Sequence, residues 1–117
     1  MSVTNLSSCV RGNCNVVELA ASGGLYQVDC TGKFGKIEFV VGGSGVTFPI
    51  TQKFAILEGA STEYDGLLND AFSSVGYNKD TASKINFYWE SSTNKFCVQN
   101  KLAYDVKLLV SGFLCDR

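Results

Sequence analysis

Along most of the chain apolar and polar side chains alternate one for one, the period of a strand with one buried face. Val16, Val17 and Leu19 fall in a strand over 15–20, and 25–30 sets Leu25, Gln27 and Asp29 against Tyr26, Val28 and Cys30. Ile37, Phe39 and Val41 share one face of the next segment, and a further strand is expected over 46–50. Beyond it, 84–90 places Ile85, Phe87 and Trp89 opposite Lys84, Asn86, Tyr88 and Glu90, and 95–99 follows after a Ser-Ser-Thr-Asn turn. The last strand, 103–110, carries Tyr104, Val106, Leu108 and Val110 on one side. Glycines at 23, 24, 32, 35, 42, 43 and 45 mark the corners, where a residue free to adopt positive φ is needed. Pro49, lacking an N–H, suits an edge strand or a strand end.

One segment breaks this period. From 64 to 75 the apolar residues Leu67, Leu68, Ala71, Phe72 and Val75 recur at helical spacing, with Ser61 or Thr62 placed to cap the start and Gly76 the end. The pattern predicts a helix over about 63–76. The expected fold class is therefore α+β, mainly antiparallel β: a single meander sheet of six to eight strands with one packed helix. Nothing in the pattern divides the chain, so 1–117 is read as a single domain with 1–14 as an N-terminal arm tied down by a disulfide.

The chain has no His, which removes Ser-His-Asp and Cys-His nucleophile activation and His-ligated zinc. Ten basic residues against eleven acidic ones leave no electrostatic footprint for nucleic acid or an anionic membrane. The apolar runs are too short to span a bilayer, so no membrane insertion is expected. Cys9, Cys14, Cys30, Cys97 and Cys115 are spread through the chain rather than set in close pairs, which argues against metal and for disulfides. An oxidising, extracellular compartment fits that usage, with Met1 standing where a signal peptide has been removed. An intracellular chain with reduced thiols is the competing reading. Stapling Cys115 back to Cys9 or Cys14 constrains the unfolded chain most, and Cys30 would then pair with Cys97 or with the remaining N-terminal cysteine.

Gly42-Gly43-Ser44-Gly45 lacks the Lys-[Ser/Thr] and following helix of a phosphate loop and reads as a hairpin turn. Carboxylates are the remaining acid–base groups, and Asp29, Glu38, Glu90 and Asp105 lie on predicted strands, with Asp29 and Glu90 placed to be half-buried. Among the aromatic residues, Trp89 is expected in the core with Ile85 and Phe87, leaving Tyr26, Tyr88 and Tyr104 as the surface candidates for binding.

Leu25-Tyr26-Gln27-Val28-Asp29-Cys30, Gly35-Lys36-Ile37-Glu38-Phe39-Val40-Val41-Gly42-Gly43, Val46-Thr47-Phe48-Pro49-Ile50 and Phe54-Ala55-Ile56-Leu57 follow one another within 25–57. This stretch resembles part of the C-terminal lobe of pepsin-like aspartic proteases, where a Cys-ending strand, an I-x-F strand, a Gly-Gly turn and a Pro segment ending in I-L occur in that order. The family's Asp-[Thr/Ser]-Gly is absent, since Asp29-Cys30-Thr31-Gly32 carries an extra residue, and no catalytic residue carries over. The functional expectation is a secreted, disulfide-stabilised, non-enzymatic binding protein without cofactor or metal. It would act like an effector of virulence, contacting a host or partner protein or a cell surface through a strand edge or the tyrosine-bearing face. The alternative is a small hydrolase using two carboxylates, or an inactive protease-like fragment that binds peptide.

Overall fold

A computed structural model describes residues 15–43, 45–46, 50–57, 61–68 and 74–116. These form nine strands: β1 (Asn15–Leu19), β2 (Gly24–Asp29), β3 (Lys33–Gly42), β4 (Ile50–Leu57), β5 (Ser61–Leu68), β6 (Val75–Gly76), β7 (Ile85–Glu90), β8 (Lys95–Asn100) and β9 (Val106–Asp116). They divide between two sheets, of order β1-β9-β3-β4-β5 and β2-β8-β7-β6. All pairings are antiparallel except β6 with β7.

The two inner faces meet in one core. Phe39 and Phe54 from the five-stranded sheet pack against Phe87 and Phe96 from the four-stranded sheet, with ring centroids 4.5–5.7 Å apart. Tilted aromatic contacts at this spacing add to the area they bury. Around them the inward positions Ile37, Val41, Leu108 and Val110 complete the buried cluster with Ile85 and Val98. The class this defines is a two-layer β-sandwich.

Two expectations are corrected here. The fold is not a single sheet with a packed helix: there are two sheets, and no α-helix occurs among the described residues. The segment predicted to be helical begins instead as β5, whose Ser61, Thr62, Glu63 and Tyr64 pair with Leu57, Ile56, Ala55 and Phe54 across a bulge near Lys53. Pairing supplies every second backbone group of β4 with a partner, a gain the helix cannot offer, and Gly66 weakens a helix interior by about 1 kcal/mol. Residues 69–73 of the predicted helix, the 1–14 arm and Pro49 lie outside the described residues.

Second, Cys30, Cys97 and Cys115 are free thiols and form no disulfide. Strand geometry explains it. Cys30 follows β2 and is buried in the core, whereas Cys97 points to the opposite face of the same sheet, across from Gln27 and Tyr88. Cys115 lies on the other sheet, opposite Phe34 on its outer face. Cys30 and Cys97 thus point to opposite faces of one sheet and Cys115 points outward from the other, so no two of the three bring their Cβ atoms to bonding range. Cys9 and Cys14 are outside the described residues.

Candidate functional site

Alternation along β1, β3 and β9 should leave polar residues outside, and on the outer face of the five-stranded sheet it does not. Val16, Leu109 and Val40 sit side by side across three strands; beyond the row formed by Ser111 and Glu38, Phe113 and Phe34 make a second apolar group toward the C-terminal end of β9. Val16 is 63%, Phe113 46%, Phe34 44% and Leu109 37% exposed. Glu18 and Lys107 flank the first group, and Lys36 and the Lys53–Glu38 ion pair (3.8 Å) stand between it and the second, so charges of both signs border the apolar residues.

The outer face of the four-stranded sheet is built differently. Its middle row carries Asn86 beside Gln99, both buried, and a loop leaving β6 is bolted down over them. Asp80 N–H donates to Gln99 Oε1 (2.9 Å), Gln99 Nε2 donates to Asp80 Oδ1 (2.8 Å), and Asn86 Nδ2 donates to Thr81 O (3.0 Å) and Gln99 Oε1 (3.2 Å). These bonds hold Asp80 at φ +64° and allow a non-glycine residue a left-handed conformation. Beside this loop a cleft of about 430 Å³ opens between residues 77–79 and residues 88–92. Tyr77 is anchored from inside, its hydroxyl donating to buried Gln52 Oε1 at 2.9 Å.

The three tyrosines expected to bind do not share a surface. Tyr88 lines the cleft on the outer face; Tyr26, paired with Val98 on the inner face, packs against the core; Tyr104 packs against the core from the β8–β9 loop. Trp89 was expected in the core and is partly buried against it, yet it also lines the cleft. Tyr77 and Lys79 were missed, because only the β6–β7 pairing shows that they face the end of β7.

Of the carboxylates, Asp29 and Glu90 stand on one outer face, two strands apart with Lys95 between them. An acid–base pair needs one carboxyl held protonated. Asp29 is pushed the other way: the Thr31 N–H bonded to its Oδ1 at 3.0 Å lowers its pKa. Glu38 pairs with Lys53 on the other sheet. Asp105 shares a hollow of about 330 Å³ with Glu18, and its Oδ1 accepts the Ala21 N–H at 2.8 Å. No group of His, Cys, Asp and Glu among the described residues is arranged to hold a metal ion. Comparison with protein-family models, with curated proteins and with solved structures finds no match.

The buried thiols lead to a measurable pH dependence. Burial pushes the Cys30 thiol up to about 11 from an ordinary value of 9, and burial also raises Cys97. A thiol whose folded pKa lies above its unfolded one contributes stability that is present below pH 9 and lost as pH rises through the folded value. Unfolding midpoints in urea are therefore expected to fall between pH 9 and 11, and Cys30→Ala should flatten that fall. At pH 8, iodoacetamide on the native protein should leave the Cys30 and Cys97 peptides unmodified while the half-buried Cys115 reacts, as read by peptide mass mapping.

Proposed function

We propose that this chain is a non-enzymatic binding module that recognises a partner protein through the open face of its five-stranded sheet. One observation carries the reading: of the five large apolar side chains exposed among the described residues, four stand on that face. Large apolar side chains gathered on one face and bordered by polar residues mark an interaction site, and a sheet gains nothing by presenting them to water. Charges of both signs around the patch favour a near-neutral, apolar protein surface over an anionic polymer. The lowered Asp29 carboxyl and the bonded Asp105 support the non-enzymatic reading. An exported location was inferred from disulfides, and three of the five cysteines no longer support it.

A photo-cross-linking residue at Phe113 is expected to capture a discrete partner in cells that produce the protein. The same residue at Leu25, which is 48% exposed on the other sheet, should not. Leu109→Lys should abolish capture from position 113 while shifting stability by no more than about 0.5 kcal/mol, the range for a surface change. Equal capture from both positions, or capture indifferent to Leu109→Lys, overturns the proposal.

A further inference from the structure

The cleft beside β7 belongs to a different surface and has a different geometry. β7 is six residues long, but its neighbour β6 supplies only Val75 and Gly76, opposite Ile85 and Asn86. From Phe87 to Glu90 the strand is paired on its β8 side and, among the described residues, has no strand on the other. The cleft opens along this stretch. Tyr88, Trp89 and Glu90, the last three residues of β7, all line it together with Ser91 and Ser92 of the following turn, although side chains of consecutive strand residues point to opposite faces. A hollow that touches every residue of a run follows the backbone edge rather than either face.

We propose that this cleft accepts an extended peptide segment of another protein, which adds to the four-stranded sheet as a strand beside residues 87–90. Unpaired backbone groups of an edge strand supply the main-chain bonds of such an addition, and flanking side chains supply the selectivity. Natural edges are blunted with charge, and here Glu90 is the only charged residue on the open stretch. The indole Nε1 of Trp89 is buried with no hydrogen-bond partner among the described residues. The ring of Trp89 lines the cleft, while its Nε1 is closed off from it, so the contribution to an incoming segment is an apolar wall. Alternation then fixes the segment's chemistry. Side chains turned inward meet the Trp89 and Tyr77 rings and should be apolar; those turned outward lie near Tyr88, Lys79 and Glu90 and should be polar. The far bank is already rigid, because the Asp80–Gln99–Asn86 bonds fix the loop that carries it. Four strand residues span about 13 Å, so the recognised core is a segment of roughly four residues.

The probe is a blocked octapeptide, Lys-Val-Thr-Ile-Thr-Val-Glu-Thr, tested against a twin N-methylated at alternate residues along its pairing edge. Trp89 is the only tryptophan and reports from the cleft itself. At millimolar peptide, a shift in tryptophan emission is expected, together with slowing of amide exchange within residues 87–90 by about ten-fold or more. The methylated twin should produce neither change. Equal effects from both peptides would place the contact on side chains alone and overturn strand addition. So would the absence of any change. Protection of residues 87–90 in the free protein, accompanied by a dimer in sedimentation, would assign the edge to a second copy of the chain and equally overturn the proposal.

Discussion

Asn100→Asp is expected to be severely destabilising at neutral pH and 25 °C, by about 3–5 kcal/mol. The side chain of Asn100 is fully buried where two connections converge. Its Nδ2 donates to Leu19 O (3.1 Å), Ala20 O (3.2 Å) and Tyr104 O (3.0 Å), and its Oδ1 accepts the Leu102 N–H (3.0 Å). One amide thus ties the β1–β2 connection to the β8–β9 loop, and both cross from one sheet to the other. An ionised carboxylate keeps the contact to Leu102 but sets a buried negative charge against three carbonyl oxygens. That costs about 3–5 kcal/mol, a large share of the roughly 5–15 kcal/mol that holds a typical domain together. Asn100→Ala removes the bonds without adding charge and should cost less, about 2–3 kcal/mol, from carbonyls left unsatisfied. The aspartate variant has a pH signature the alanine variant lacks. Its folded-state pKa is raised above the unfolded one, so stability should return as pH falls through that raised value and a protonated carboxyl again donates one bond. Urea titrations followed by Trp89 emission at pH 7 and pH 5 measure both effects. A loss below about 1 kcal/mol in Asn100→Asp would show that the two connections are held by something else.

The role of Asn100 could not have been read from the chain, and the reason is general to this fold. Alternation identifies which residues of a strand share a face, and it does so correctly for Ile37, Phe39 and Val41 and for Ile85, Phe87 and Trp89. It carries no information on which sheet a strand joins. Phe39 and Phe54 belong to one layer and Phe87 and Phe96 to the other, yet all four have the same local pattern. The helical period at 64–75 misled for a related reason. Leu67 and Leu68 fit a helical stripe by spacing, but the backbone there pairs with Gln52 and Thr51 beyond a bulge, and periodicity does not foresee a partner strand. The last strand was expected over 103–110, from the alternation of Tyr104, Val106, Leu108 and Val110, but β9 begins at Val106 and runs on to Asp116. The candidate sites were less legible still. Tyr88 was anticipated as a binding residue, but the open edge it lies on exists only because β6 is two residues long. The apolar outer face went unseen because Val16, Leu109 and Phe113 come together across strands, far apart in sequence.

Gly112→Ala and Gly35→Ala should each destabilise the protein by about 3 kcal/mol or more, through positive-φ strain combined with overpacking against backbone. Both glycines lie in the β3–β9 ladder, where Gly35 pairs with Leu114 and Gly112 with Ile37, flanking the Lys36–Phe113 pair on the diagonal. Their φ values are +149° and +123°, which side-chain-bearing residues rarely adopt. Space is missing as well. A Cβ on Gly35 would run into the carbonyl oxygen of Phe113, and one on Gly112 into that of Lys36. The obstacle is backbone on the neighbouring strand and cannot rotate away. Gly32→Ala is the control: at φ +66° it meets nothing within 4 Å and should cost only about 1 kcal/mol of backbone strain. Because both ladder glycines guard one pair of residues, opening the ladder for one methyl relieves the other. The double variant should therefore lose less than the sum of the singles, as measured by urea unfolding. The damage also has a direction. Phe34 and Phe113 stand on the outer face at this point of the ladder, so either variant should speed amide exchange across 33–36 and 113–116 before it does so in β7 and β8. In the proposed binding reaction the same variants should weaken capture from position 113 at temperatures where the protein is still folded, since the strands presenting that side chain are the first to separate. Uniform acceleration of exchange across both sheets would show instead that the sandwich opens as one unit and that the apolar face has no separate support.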